Sequence, residues 1–237
     1  MKIPGLLVFL LFLVPLAAQT TLDYGVKTGF NLSQHYGTKG DEGDFEVKTG
    51  MRPGFIGGAW LDLNLLPHFS LGYELLYSMK GSREQITIRR VEIDGVMEDL
   101  VQPAVMDVLY YLDYVELPVL LKIKVVERNT WSLAAITGTA MALKVKGKHR
   151  LDGVIYFPDG DDVTEIPLTE ESSLENVNMF DYSFVYGGNI EFKTKLPLIL
   201  EYRFTLGWDY LNLPTFQLFD PVSLRNQTHS LLLGTRF

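Results

Sequence analysis

The sequence predicts an all-β protein: a transmembrane up-and-down antiparallel β-barrel of eight strands, with short periplasmic turns and long extracellular loops. Three observations predict it. Apolar and polar residues alternate with a period of two along eight segments. The apolar face of those segments is too bulky to be packed inside a barrel of that size. The connections between them alternate between long and short.

The chain opens Met1-Lys2-Ile3-Pro4, continues through an apolar run from Leu6 to Leu16, and reaches Ala17-Ala18-Gln19. One positive charge, an apolar stretch and small residues at its end read as a cleavable secretory signal peptide over residues 1–18. Residues 19–237 are then one barrel domain. Pro15 and the brevity of the run count against an anchoring helix, while Leu16 is large for the position three residues before the cut. No later stretch has the roughly 20 apolar residues that a membrane helix needs.

The first strand is Leu22–Ser33, where Leu22, Tyr24, Val26, Thr28, Phe30 and Leu32 oppose Asp23, Gly25, Lys27, Gly29 and Asn31. A weaker second runs Met51–Asp62. The third sets Phe69, Leu71, Tyr73, Leu75, Tyr77 and Met79 against Ser70, Gly72, Glu74, Ser78 and Lys80. In the fourth, Val115 to Val125 opposes Glu116, Lys122 and Lys124. The fifth alternates from Trp131 to Val145. In the sixth, Phe180 to Phe192 opposes Asp181, Ser183, Gly187, Asn189 and Glu191. The seventh runs from Leu198 to Tyr210 against Glu201, Arg203, Thr205, Gly207 and Asp209. The eighth is His229–Phe237.

Alternation does not say which face is inside, and volume decides it. Eight strands enclose a space just wide enough for side chains to fill. The apolar face carries dozens of large residues, whereas the other mixes Gly, Ala and Ser with charges of both signs. The bulky face therefore points outward, which only lipid tolerates. The inward charges are Arg52, Asp62, Glu74, Glu116, Lys122, Lys124, Asp181, Glu191, Glu201 and Arg203. They form either a polar path or, more simply, an ion-paired plug, because a buried charge persists only when paired.

Short connections fall at Leu63–His68, Glu127–Thr130 and Thr194–Pro197; long ones fall at 34–50, 81–111, 147–178 and 211–228. Alternating or β-rich runs at Gln85–Ile93 and Leu151–Phe157 extend two of the long loops as hairpins beyond the membrane, turning at Asp94-Gly95 and Asp159-Gly160. Outward aromatics gather near both strand ends, as headgroup-level belts do.

Composition narrows function by exclusion. The net charge of −8 argues against nucleic acid as a partner. The absence of cysteine removes disulfides, thiolate metal sites, a cysteine nucleophile and a lipoprotein anchor.

Tyr24-Gly25-Val26-Lys27-Thr28-Gly29-Phe30-Asn31-Leu32-Ser33 resembles the first strand of the PorT-type, porin-like outer-membrane β-barrel family. Leu112-Asp113-Tyr114-Val115-Glu116-Leu117-Pro118-Val119-Leu120-Leu121-Lys122 resembles that family's aromatic, acidic, LP-x-LLK fourth strand. Gly187-Gly188-Asn189-Ile190 and Ser230–Phe237 fit as well. The resemblance covers the whole chain after the leader. It implies an outer-membrane location in a Gram-negative envelope and eight strands. It also implies that Phe237, with Leu231 and Leu233 on its face, is the signal read by the barrel-assembly machinery. Some members serve in type IX secretion and gliding, and most have no assigned activity.

Candidate chemistry is sparse. His35, His149 and His229 fall near the outer strand ends, and His35 and His229, on neighbouring strands of a closed barrel, are expected to approach each other. Ser33 shares a face with His35, the beginnings of a membrane-embedded hydrolase, but the sequence places no acid beside them. Acidic clusters at Asp41-Glu42-Gly43-Asp44 and Pro158-Asp159-Gly160-Asp161-Asp162 could hold Ca²⁺ or bridge lipopolysaccharide, yet match no calcium-loop spacing and read more simply as turns. No catalytic, cofactor or metal residue is assigned. The expectation is a non-enzymatic barrel whose extracellular hairpins contact envelope lipid, lipopolysaccharide or a protein partner. The alternatives are an accessory subunit of a secretion or assembly complex, a lipid A-modifying enzyme and a narrow pore.

Overall fold

A computed structural model describes residues 21–38, 45–93, 96–159, 162–174, 177–208, 210–211 and 223–237. The leader, the Asp94-Gly95 turn, the first acidic cluster and the centre of the second lie outside the described residues. Ten strands are formed: β1 (Thr21–Thr38), β2 (Phe45–Leu66), β3 (Phe69–Lys80), β4 (Ser82–Ile93), β5 (Val96–Glu127), β6 (Trp131–Asp159), β7 (Asp162–Ser173), β8 (Phe180–Phe192), β9 (Leu198–Gly207) and β10 (Ser223–Arg236).

Eight of them close a ring, every neighbour antiparallel: β1 to β2, β3, β5, β6, β8, β9, β10 and back to β1. Closure satisfies the backbone of every strand on both sides, as hydrocarbon requires. These eight are the segments expected from the alternation. The other two continue ring strands outward: β4 pairs with β2 and β5, as β3 does, and β7 pairs with the outer part of β6, the strand that β8 pairs with lower down. Ile93 pairs with Val96 and Asp159 with Asp162, so the two expected hairpins form; Asp159, expected in the second turn, is instead the last paired residue of β6.

Several boundaries differ from expectation. Crossing hydrocarbon takes about 9–11 residues, whereas β5 has 32 and β6 has 29. The segments read as the loops 81–111 and 147–178 are therefore largely strand. β2 also starts earlier, at Phe45, and its outer end pairs with β4. At the periplasmic side the turn read at Leu63–His68 shrinks to Pro67-His68, because β2 continues to Leu66 past a bulge between Asn64 and Leu66. β10 begins at Ser223, inside the segment read as the last loop, and β9 stops at Gly207 rather than Tyr210.

The faces are as the volume argument requires. Phe30 is 73% exposed and Leu66 61%, while Lys27, Asn31, Glu74 and Arg203 are buried. One irregularity redirects the upper wall. Asp113 pairs with Lys146 and Tyr114 with Lys144, leaving Val145 unmatched. This bulge exchanges the two faces of β6. Below it, even-numbered Ile136, Ala140 and Ala142 face in; above it, Leu151 packs inward while Lys146, Lys148 and Arg150 are exposed. β3 passes into β4 in the same direction through Gly81, with φ of 136°, where a Cβ would lie 1.9 Å from the Tyr110 carbonyl oxygen. Only glycine fits there.

Candidate functional site

The lumen is stacked in layers. In the periplasmic half, Lys27 Nζ donates to Glu74 Oε1 at 2.9 Å and to Glu201 Oε2 at 3.2 Å. Arg203 Nη2 donates to the same Glu74 oxygen at 2.7 Å, and its Nε contacts Glu201. Lys122 Nζ sits 2.8 Å from Asp62 Oδ1 and 3.9 Å from Glu74, with the Trp60 ring 5.1 Å away. Three cations thus face three carboxylates, each strand supplying one or two through its inward alternation. Five expected residues, Asp62, Glu74, Lys122, Glu201 and Arg203, meet here. Lys27 was legible as polar-faced but not as the centre of the network.

At the periplasmic mouth Arg236 bridges Asp23 and Glu191, and Glu127 receives Lys124 and Lys193. Between mouth and ion layer lies a cavity of about 80 Å³, lined by Lys27, Asp62, Lys122 and Glu201 among others. That is space for a few waters and no solute.

Above the ion layer is a hydroxyl and amide layer: Asn31 Nδ2 donates to Ser78 Oγ at 2.9 Å, and Ser230 Oγ donates to Asn31 Oδ1 at 2.7 Å. Higher still, Lys80 pairs with Glu116 at 2.7 Å, and Asn226 Nδ2 donates to Asp181 Oδ2 at 2.8 Å. Arg52 stands apart from these, donating to the Lys80 carbonyl with its guanidinium 4.3 Å from the Tyr111 ring centroid.

His35 occupies the outer end of the lumen. Its Nδ1 lies 2.7 Å from Ser82 Oγ and 3.2 Å from Glu84 Oε1, and Ser82 Oγ donates to Glu84 at 3.0 Å. The acid that the sequence did not place is therefore Glu84, and the hydroxyl is Ser82; Ser33 donates instead to the Gly81 carbonyl at 2.9 Å. The arrangement differs from a hydrolytic relay, in which the nucleophile and the acid engage opposite ring nitrogens. Here both meet Nδ1, and both side chains of the His35–Glu84 pair are fully buried.

His229 does not approach His35. It pairs with Leu32, on the outward face, whereas His35 pairs with Asn226 and points inward. The His229 ring lies among Tyr202, whose hydroxyl is 2.8 Å from Nδ1, and Phe204, centred 5.0 Å away. His149 belongs to the β6–β7 hairpin, beside Ser172.

An apolar lid lies at the outer end. Ile86, Val108, Tyr110, Leu112, Leu174, Val177, Leu211 and Leu224 form one buried cluster, with Val47, Ile88, Met106 and Leu151 packed against it. Sequence reasoning missed this lid because its residues come from segments read as loops. The alternation of Ile86 and Ile88 with Arg83, Gln85 and Thr87 carried the signal.

Comparison with curated protein sequences gives no match. Among solved structures the chain is similar to Ail, the attachment invasion locus protein of Yersinia pestis, at 13% identity over 91% of this chain and 98% of that one, with a TM-score of 0.36. It is also similar to Neisserial surface protein A at 8% identity, over 90% and 95%, with a TM-score of 0.40. A third is the outer membrane protease OmpT from Escherichia coli, at 10% identity over 92% and 96%, with a TM-score of 0.44. Residues 17–208 match the family described as outer membrane protein beta-barrel domain. With a closed antiparallel ring, a bulky outward face and that match over most of its length, the chain belongs to the outer-membrane β-barrel domain family and resides in the outer membrane.

Proposed function

We propose that this is a non-enzymatic outer-membrane barrel of PorT-type kinship, exported by its leader, whose β4–β5 and β6–β7 hairpins are the working surface. They contact envelope lipid, lipopolysaccharide included, or a protein partner. One observation supports the reading: among the described residues the lumen holds a paired-charge layer, a hydroxyl and amide layer and an apolar cluster, while β5 and β6 run far beyond the length a bilayer needs. Strand length beyond the membrane, over a lumen crossed by paired charges, favours contact over conduction. The His35–Ser82–Glu84 geometry likewise favours a packing role over hydrolysis. An accessory role in a secretion or assembly complex is the protein-partner form of the same proposal, and Phe237 is read as its insertion signal.

Photocrosslinking groups at Thr87, Asp107 and Thr169, outward positions of the two hairpins, test it in intact cells. Adducts to lipopolysaccharide or to a defined protein are expected from these sites and not from Thr28 in the transmembrane wall. Hairpin sites that yield only uncrosslinked monomer would sink the proposal.

A further inference from the structure

The transmembrane wall is not smooth. Along the outward face of β2 the residues run Phe55, Gly57, Ala59 and Leu61, so two small side chains interrupt a bulky series. Register fixes what flanks them. Val26, Ala59 and Leu75 form one row across β1, β2 and β3, and Tyr24, Leu61 and Tyr73 form the row toward the periplasm. The result is a groove of about 620 Å³ floored by Ala59, walled by Val26 and Leu75, and bounded below by Tyr24, Tyr73 and Phe237. Further up β2 the Phe55 ring lies over Gly57, 2.9 Å from where a Cβ would stand.

We propose that this groove seats one acyl chain of a periplasmic-leaflet phospholipid as a bound, stoichiometric lipid. Three arguments select that occupant. The groove opens on the face that hydrocarbon already covers, so its occupant is apolar. Its walls stand on strands two spacings apart, about 9.6 Å between backbones before side chains narrow the gap; an α-helix with side chains is about 10–12 Å across and does not enter. It lies in the periplasmic half of the wall, near the starts of β1 and β3, within the leaflet that phospholipid supplies. A flexible chain lying over Ala59 restores the contacts that a void forfeits along its lining.

The test uses the whole folded protein in mild detergent, delipidated and then given palmitoyl-oleoyl phosphatidylethanolamine, with native mass spectrometry as the readout. The parent should carry one lipid. Ala59→Leu, which fills the floor, should lower occupancy about tenfold, while Ala59→Ser and Tyr186→Ala, on the far side of the ring, should match the parent. If Ala59→Leu does not insert, Val26→Phe fills the groove from its wall and should show the same loss. A parent without bound lipid, or a filled groove that keeps it, overturns the proposal.

Discussion

Glu74 shows how one side chain is held by an entire cross-section. Its Oε1 receives Lys27 from β1 and Arg203 from β9, and Lys122 from β5 stands behind them. Removing one member of such a buried set leaves the others uncompensated, at a cost of about 3–5 kcal/mol. Glu74→Gln should therefore lower the unfolding free energy of the barrel, measured by urea titration in lipid vesicles, by an amount in that range, and an unchanged value would show that the network is not load-sharing. The charges of this layer were legible because a period of two assigns each residue a face. Ser82 and Glu84 were not, because they follow Gly81 in a segment that reads as loop. The misplacement of His229 had a readable remedy: it shares parity with Leu231 and Leu233, which were already assigned outward with Phe237, whereas His35 shares parity with Lys27 and Asn31.

At the scale of elements, apolar alternation reports contact with lipid rather than strand as such, so strand segments beyond the membrane are read short. β7 is the clearest case: Thr169–Ser173 is polar on both faces, and only its pairing with β6 makes it a strand. Likewise no periodicity announces the unmatched Val145. Among the described residues β7 pairs with β6 alone, so its outer edge is a template for another chain. Pro167, opposite Val154, removes a donor from that strand, and proline is tolerated in strands where the missing N–H faces outward. Glu165, Glu170 and Glu171 add charge. Glu171 is held below the ordinary carboxylate range by its hydrogen bond to Lys148, so this hairpin clasp is intact at neutral pH and is lost only as pH falls through that lowered value. Pro167→Thr restores the donor. It should shift the detergent-solubilised protein toward dimers and larger species in light scattering, whereas a strictly monomeric variant would show that the edge is protected by other means.

For the whole molecule, the decisive relation is between ring size and contents. Eight strands leave an interior that side chains fill, and here they fill it twice over, with paired charges in the periplasmic half and an apolar lid at the outer end. The two seals are built from different parts of the chain. The lid draws on β4, the outer part of β5, β10 and residues near Leu174 and Leu211, while the ion layer draws on β1, β2, β3, β5 and β9 within the membrane. Cutting one leaves the other. Replacing Ile86–Met106 by Asn-Gly joins Gln85 to its partner Asp107 and removes the hairpin together with the lid residue Ile86. Planar-bilayer recordings of the parent should show no stepped current, and the shortened barrel should be equally silent because Lys27, Glu74, Glu201 and Arg203 still span the bore. Current in the shortened form alone would assign the seal to the lid. Current in the parent would mean that the paired layer opens on its own, and the hairpins would then be better understood as the vestibule of a pore.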